Sequence, residues 1–174
     1  MRGAGKETRD PDAVKRMRRA MLRTDTAEQV VTNRVRGRML TPTAAKLQAR
    51  ELPPLVSDEP PSRGGENRGY TLLELVLDVF CVCTNVSTAR MASKIRFDYS
   101  DLESVAEGEL DTRGRKGLAD VPVHYRAVRL RIRIATEEDD ARLARLERLV
   151  AHYCPVDSLI RAAVPDYTVT WERM

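Results

Sequence analysis

The chain reads as an α+β domain in which helices pack on antiparallel sheet. Three observations predict this. Short runs with apolar residues at every second position recur along the chain. One long apolar stretch, from about residue 71 to 94, has the length of a helix rather than a strand. A second stripe at helical spacing follows a strand late in the sequence. The length of 174 residues suits one domain with a sizeable core. Hydrophobic residues make up 42% and aromatic residues only 5%, so that core is aliphatic. Net charge is +4 although 32% of residues are charged, which describes a mixed surface rather than a uniformly cationic one.

Residues 1–27 differ in composition and form a basic N-terminal extension, with the main domain expected over 28–174. The extension holds Arg2, Lys6, Arg9, Lys15, Arg16, Arg18, Arg19 and Arg23. Asp10-Pro11-Asp12 is a helix start, with Pro in the first turn. Val14, Met17, Met21 and Leu22 supply a thin apolar stripe. Aromatic residues for base stacking are absent, so a docked helix with a solvated face is favoured over a nucleic-acid or membrane-surface arm.

From Gln29 to Asp58 the chain reads as strands. Val30, Val31, Val35 and Met39 mark the first, Ala45, Leu47 and Ala49 the second, Leu55-Val56 a short third. Glu59-Pro60-Pro61-Ser62-Arg63-Gly64-Gly65 is a loop. Thr71 then caps the long helix, with Glu74 at the third helical position in capping-box spacing. Leu72, Leu73, Leu75, Val76, Leu77, Val79, Phe80 and Val82 make its first half apolar on nearly all sides, which predicts a buried helix. No run of about 18 apolar residues is present, so no membrane span is expected. The N-terminus lacks the apolar segment of a secretion signal.

Strands are predicted over about 103–110 and 125–135. In the second, Val128, Leu130, Ile132 and Ile134 point one way and Arg129, Arg131 and Arg133 the other. Such a row is more often the wet side of a sheet than a nucleic-acid surface. Thr136 caps the next helix, whose first turn carries Glu137, Glu138, Asp139 and Asp140. Leu143, Leu146, Leu149 and Val150 are its buried stripe, and Pro155 ends it. A helical turn over about 157–163 leads to a last strand, Tyr167 to Glu172.

The candidate chemistry lies in three cysteines, Cys81, Cys83 and Cys154. An odd number argues against a secreted disulfide framework and places the protein in a reducing cytoplasm. No run of Asp, His or Glu has metal-site spacing. Cys81 and Cys83, two apart on a helix, face away from each other, so neither a metal nor another cofactor is expected. Cys83 lies mid-helix in apolar surroundings, where an inert core cysteine is the commoner finding. Burial raises a thiol pKa, and Arg90, two turns on, is too far to activate the thiol alone. Cys154 follows a helix C-terminus, where the dipole disfavours a thiolate. It is better suited to resolve a sulfenic acid than to form one.

A set of segments together resembles the OsmC/Ohr family of osmotically inducible and organic-hydroperoxide-resistance proteins. They are Val56-Ser57-Asp58-Glu59-Pro60-Pro61, Gly64-Gly65-Glu66-Asn67-Arg68-Gly69, Leu73-Glu74-Leu75, Cys83-Thr84, and Cys154-Pro155-Val156-Asp157-Ser158-Leu159-Ile160-Arg161. The similarity runs from about residue 29 to the C-terminus. It implies strongly curved antiparallel sheets wrapped around a long central helix, in an intertwined homodimer with sites at the subunit interface. It also implies a hydroperoxide substrate, a peroxidatic cysteine at Cys83, a resolving cysteine at Cys154 and a thiol or lipoyl reductant.

Glu74 matches a family carboxylate that orients an activating Arg. The hydroperoxide-resistance branch has its Glu ten residues before the helical cysteine, where this chain has Leu73. Glu74 is nine before, and on a continuous helix of about 100° per residue it points toward the side of Cys81 and Asp78. Arg34, Arg36 and Arg38 are candidates for the activating Arg by region only. These departures suggest a divergent branch. They leave open a second function, a non-catalytic small-ligand-binding protein that retains the fold.

Overall fold

The computed structural model describes residues 28–174. The basic extension expected over 1–27 lies outside the described residues. Strands β1 (Arg36–Met39), β2 (Ala44–Gln48) and β3 (Leu55–Asp58) form one antiparallel sheet in that order. β1 is shorter than the run from Val30 predicts, because β2 offers partners only from Arg36 to Met39. Every residue of β1 is exposed.

The expected loop follows β3, with a single 3₁₀ turn at Pro61–Arg63. Its organiser is the buried carboxylate of Asp58. That group accepts hydrogen bonds from the backbone N–H groups of Glu59, Glu66 and Arg68 and from Arg68 Nε at 3.0 Å. Arg68 holds the Asp58 carboxyl below the usual carboxylate range. The glycines are required by close approach: a Cβ on Gly69 would stand 2.0 Å from Val56 O, and one on Gly65 1.8 Å from Glu59 O.

Helix α1 (Leu72–Ile95) is the central element. Thr71 caps it, and Thr71 and Glu74 close the predicted capping box. Arg96 ends it in the left-handed region at φ 56°. The expectation of a helix buried all round holds for one face only. Phe80, Thr84, Ser87, Thr88, Met91 and Ala92 are buried, whereas Leu72, Val76, Val79, Val82 and Val86 form an exposed apolar stripe. By length and composition α1 is also apolar enough to cross a membrane, which the search for continuous apolar runs missed. Its buried face packs on β-strands and helices of the same chain.

The second sheet has the order β4 (Asp101–Glu109), β5 (Ala127–Ala135), β6 (Asp166–Arg173), with the short helix α2 (Thr112–Arg115) between β4 and β5. β4 and β5 are antiparallel, but β6 joins β5 in parallel, departing from the all-antiparallel expectation. The reason is topological. Helices α3 (Asp140–Tyr153) and α4 (Pro155–Ala163) carry the chain back across the sheet, and a crossover of that length returns a strand in the same direction. β5 alternates as predicted, with Val128, Leu130, Ile132 and Ile134 buried and the arginines out. Arg129 pairs with Asp166, Arg133 with Glu103 and Arg126 with Glu109. The outer face is thus a ladder of opposite charges across strands rather than a cationic track.

Thr136 does not cap α3. Asp139 does, accepting from Arg142 N at 2.8 Å, while the Thr136 hydroxyl donates to Asp98 O. Four acidic or hydroxyl residues in succession precede the first helical residue, Asp140, and the one nearest the first helical N–H groups takes the role. The core lies between α1, α3, α4 and the inner face of β5. Phe80, Leu130, Ile132, Ile134, Leu146 and Cys154 have essentially no exposed surface.

Candidate functional site

Cys83 and Cys154, 71 residues apart in sequence, stand with their sulfurs 3.5 Å apart. Cys83 comes from the middle of α1, at the edge of the face whose buried residues Phe80, Thr84 and Ser87 fix the helix against the rest of the chain. Cys154 is placed by a sharp break between two helices. It closes α3, its N–H donating to Val150 O, and is also the N-cap of α4. Pro155 causes the break. It cannot continue α3, and it is favourable as the first residue of a new helix. Cys154 is fully buried and touches the Thr84 hydroxyl at 3.8 Å.

Cys83 opens onto a groove of about 640 Å³ along α1. Its walls are mostly apolar, with Leu75, Val79, Val82, Val86 and Val156 prominent, and Asp78 and Arg90 are its charged members. Burial pushes the Cys83 thiol above the ordinary thiol range, and Cys154 adds to this. The Val156 N–H and the Ser87 hydroxyl act in the opposite direction. Such a sulfur is held in a preformed place and has a close thiol neighbour, but it is mostly protonated near neutral pH.

The structure does not bring Glu74 to this groove. Its carboxylate accepts from Thr71 N at 2.7 Å, which holds its pKa below the usual range. Arg36 and Arg38 lie on β1 with Arg34 just before it, all exposed and none lining the groove. Cys81 packs on the core beside Phe80. Among the described residues, no group of His, Cys, Asp and Glu side chains is placed to hold a metal ion.

Sequence reasoning missed the supporting residues. Ser87 is one turn beyond Cys83, a spacing that could have flagged it. Behind Cys154, buried Asp157 accepts from the Tyr167 hydroxyl and pairs with Arg161 at 3.5 Å. Burial and the Asp157 bond both raise the Tyr167 pKa. That contact joins α4 to β6, and no local pattern announces it.

A model of the OsmC-like protein family matches residues 65–168, more than half of the chain. A sequence search of curated proteins finds no match. Solved structures share the fold at low identity. An OsmC-like protein from Mycoplasma pneumoniae aligns with TM-score 0.69 at 14% identity, covering 83% of this chain and 99% of that one. An organic hydroperoxide resistance protein OsmC from Legionella pneumophila aligns with TM-score 0.64 at 17% identity, covering 83% and 99%. The organic hydroperoxide resistance protein OhrB of Bacillus subtilis aligns with TM-score 0.56 at 14% identity, covering 83% and 98%. With the matched segment containing the whole of α1 and the Cys154 turn, the chain belongs to the OsmC-like protein family.

Proposed function

We propose that the protein is a thiol peroxidase that reduces organic hydroperoxides with Cys83 as the peroxidatic and Cys154 as the resolving cysteine. The observation that carries this reading is the 3.5 Å approach of the two sulfurs, with Cys83 lining an apolar groove and Cys154 buried behind it. In the first step the Cys83 thiolate attacks the outer peroxide oxygen. The O–O bond breaks, Cys83 becomes a sulfenic acid and the alkoxide leaves as an alcohol after taking a proton. The Cys154 sulfur then displaces hydroxide from Cys83, which leaves as water, and a disulfide forms. Two equivalents of a small thiol, or one dithiol such as a dihydrolipoyl group, restore the two thiols and are themselves oxidised to a disulfide. Cys154 has no exposed surface, so the incoming thiol meets Cys83 and expels Cys154.

The working unit in this reading is a homodimer in the cytoplasm. The exposed stripe Leu72, Val76, Val79, Val82, Val86 is a face that a second copy buries, and the exposed strand β1 is free to reach across to it. Glu74 serves the site through the start of α1 rather than at the sulfur. The test is consumption of an organic hydroperoxide with dithiothreitol as reductant. Activity should be lost in Cys83→Ser; activity unchanged in that variant refutes the reading. Among the described residues the groove holds no guanidinium besides that of Arg90, which favours a second reading, a ligand-binding protein with inert cysteines. Failure of a sulfenic-acid probe to label Cys83 after peroxide treatment would support that alternative.

A further inference from the structure

The reaction proposed above needs the Cys154 sulfur to face Cys83 once Cys83 has become a sulfenic acid. Resting on that reading, we propose that Thr84 keeps it there: the Thr84 hydroxyl donates to Cys154 Sγ and sets the resolving sulfur against Cys83. Thr84 is then a positioning residue, acting through Cys154 and not on the substrate.

Three features of the structure carry this. The Thr84 hydroxyl lies 3.8 Å from Cys154 Sγ, and Cys154 directs its own thiol hydrogen to Cys83 Sγ, which leaves the hydroxyl as the donor to sulfur. Cys83 and Thr84 are consecutive on α1, their side chains about 100° apart around the axis, so the Cys154 sulfur sits in the notch between them. Next, a helical threonine commonly donates to the carbonyl one turn back. Thr88 does so, its hydroxyl donating to Thr84 O at 2.9 Å, whereas the Thr84 hydroxyl is turned to the sulfur. Last, Cys154 is the N-cap of α4, where a side chain ordinarily turns to the first amides of its own helix. No such capping bond forms. The side chain points to α1 instead, where it meets Cys83 and Thr84.

The contact does not depend on what covers the apolar stripe of α1. Thr84 is 2% exposed and Cys154 has no exposed surface, both enclosed by residues of their own chain. Thr84 lies on the far side of α1 from the groove at Cys83, beside a cavity of about 310 Å³ that Ile132, Val150 and Trp171 also line. Without the hydroxyl, the sulfur is free to swing back toward the start of α4, and it meets Cys83 less often.

The experiment uses dipyridyl disulfide and no peroxide, on the full chain carrying Cys81→Ala so that Cys83 and Cys154 alone report. The Cys83 thiolate attacks one sulfur of the reagent, the reagent's S–S bond breaks and one pyridinethione leaves. Cys154 then attacks the Cys83 sulfur of the mixed disulfide, which gives the Cys83–Cys154 disulfide and a second pyridinethione. Each leaving group takes up the proton that the attacking thiol gave up. Stopped-flow absorbance separates the two releases, because the first rate rises with reagent concentration and the second does not. Thr84→Val keeps the shape and removes the hydroxyl; it should slow the second release about fivefold, the effect of one hydrogen bond, and leave the first unchanged. Thr84→Ser should recover the parent rate. A second release in Thr84→Val as fast as in the parent overturns the proposal. So does equal slowing of both releases, which marks a disturbed helix rather than a loosened sulfur. Should Thr84→Val not fold, Thr84→Ser and Thr84→Ala form a pair with and without the hydroxyl and carry the same test. A parent that gives no second release refutes the cysteine pairing and the role of Thr84 with it. A Thr84-dependent second release in a protein without hydroperoxide turnover refutes the proposed function and leaves the role of Thr84 standing.

Discussion

Oxidation of the Cys83–Cys154 pair should make this protein substantially harder to unfold. The bond would close a loop of 71 residues, the sequence separation of the two sulfurs. Chain-entropy arithmetic for a loop of that size gives about 4 kcal/mol at 25 °C. The sulfurs must close from 3.5 Å to a bond length of about 2 Å, a small adjustment for side chains at a helix break, so little of the gain is offset by strain. For a domain of this size the gain corresponds to a rise in Tm on the order of 10 °C. The assay is thermal unfolding followed by circular dichroism, comparing peroxide-oxidised and dithiothreitol-reduced protein at one protein concentration, because a dimer makes Tm depend on concentration. Mass spectrometry verifies the bond. Unchanged Tm with the disulfide verified refutes the loop argument. A shift of equal size in Cys83→Ser shows that peroxide acts elsewhere.

Two further outcomes follow from the site. A thiol of ordinary pKa near 8.5 is about 3% thiolate at pH 7, and burial holds Cys83 above that ordinary value. Because the thiolate is the reactive form, the hydroperoxide rate constant in stopped flow should climb about tenfold per unit from pH 7 to 8 and continue rising beyond it; a plateau below pH 8 contradicts the assignment. Val82 is 61% exposed at the centre of the apolar stripe of α1. Val82→Asp should convert a dimer into a monomer in sedimentation velocity, and an unchanged sedimentation coefficient removes this stripe as the dimer face.

The elements that the sequence disclosed are those whose burial is one-sided and regular. β5 alternates strictly because one face meets the core and the other meets water, and its boundaries match within two residues of the expectation. The start of α1 was legible because a capping box is a local contact between Thr71 and Glu74. The parallel entry of β6 was not, since strand direction depends on where two intervening helices travel. The exposed stripe of α1 was misread as core for a related reason: composition records that a face is apolar, not whether the same chain covers it. Within the site, the resemblance brought out Cys83 and Cys154. Ser87 and the Val156 N–H escaped notice because a serine and a backbone amide carry no signal until the fold sets them beside a sulfur.

The parallel pairing of β6 with β5 has a consequence for how the protein is made. Cys154 rides on the connection between those strands, with α3 leaving β5 and α4 leading into β6. The Tyr167 hydroxyl on β6 holds Asp157 one turn after Cys154. A nascent chain that has emerged only as far as α4 can seat that connection on α1 but lacks the Tyr167 contact that ties it to the sheet. In the proposed peroxidase, Cys83 has no partner thiol until Cys154 emerges, and an oxidant met before then would carry it toward irreversible acids instead of a disulfide. The pairing proposed for Cys83 and Cys154 is thus completed late in synthesis, 71 residues after Cys83 is made.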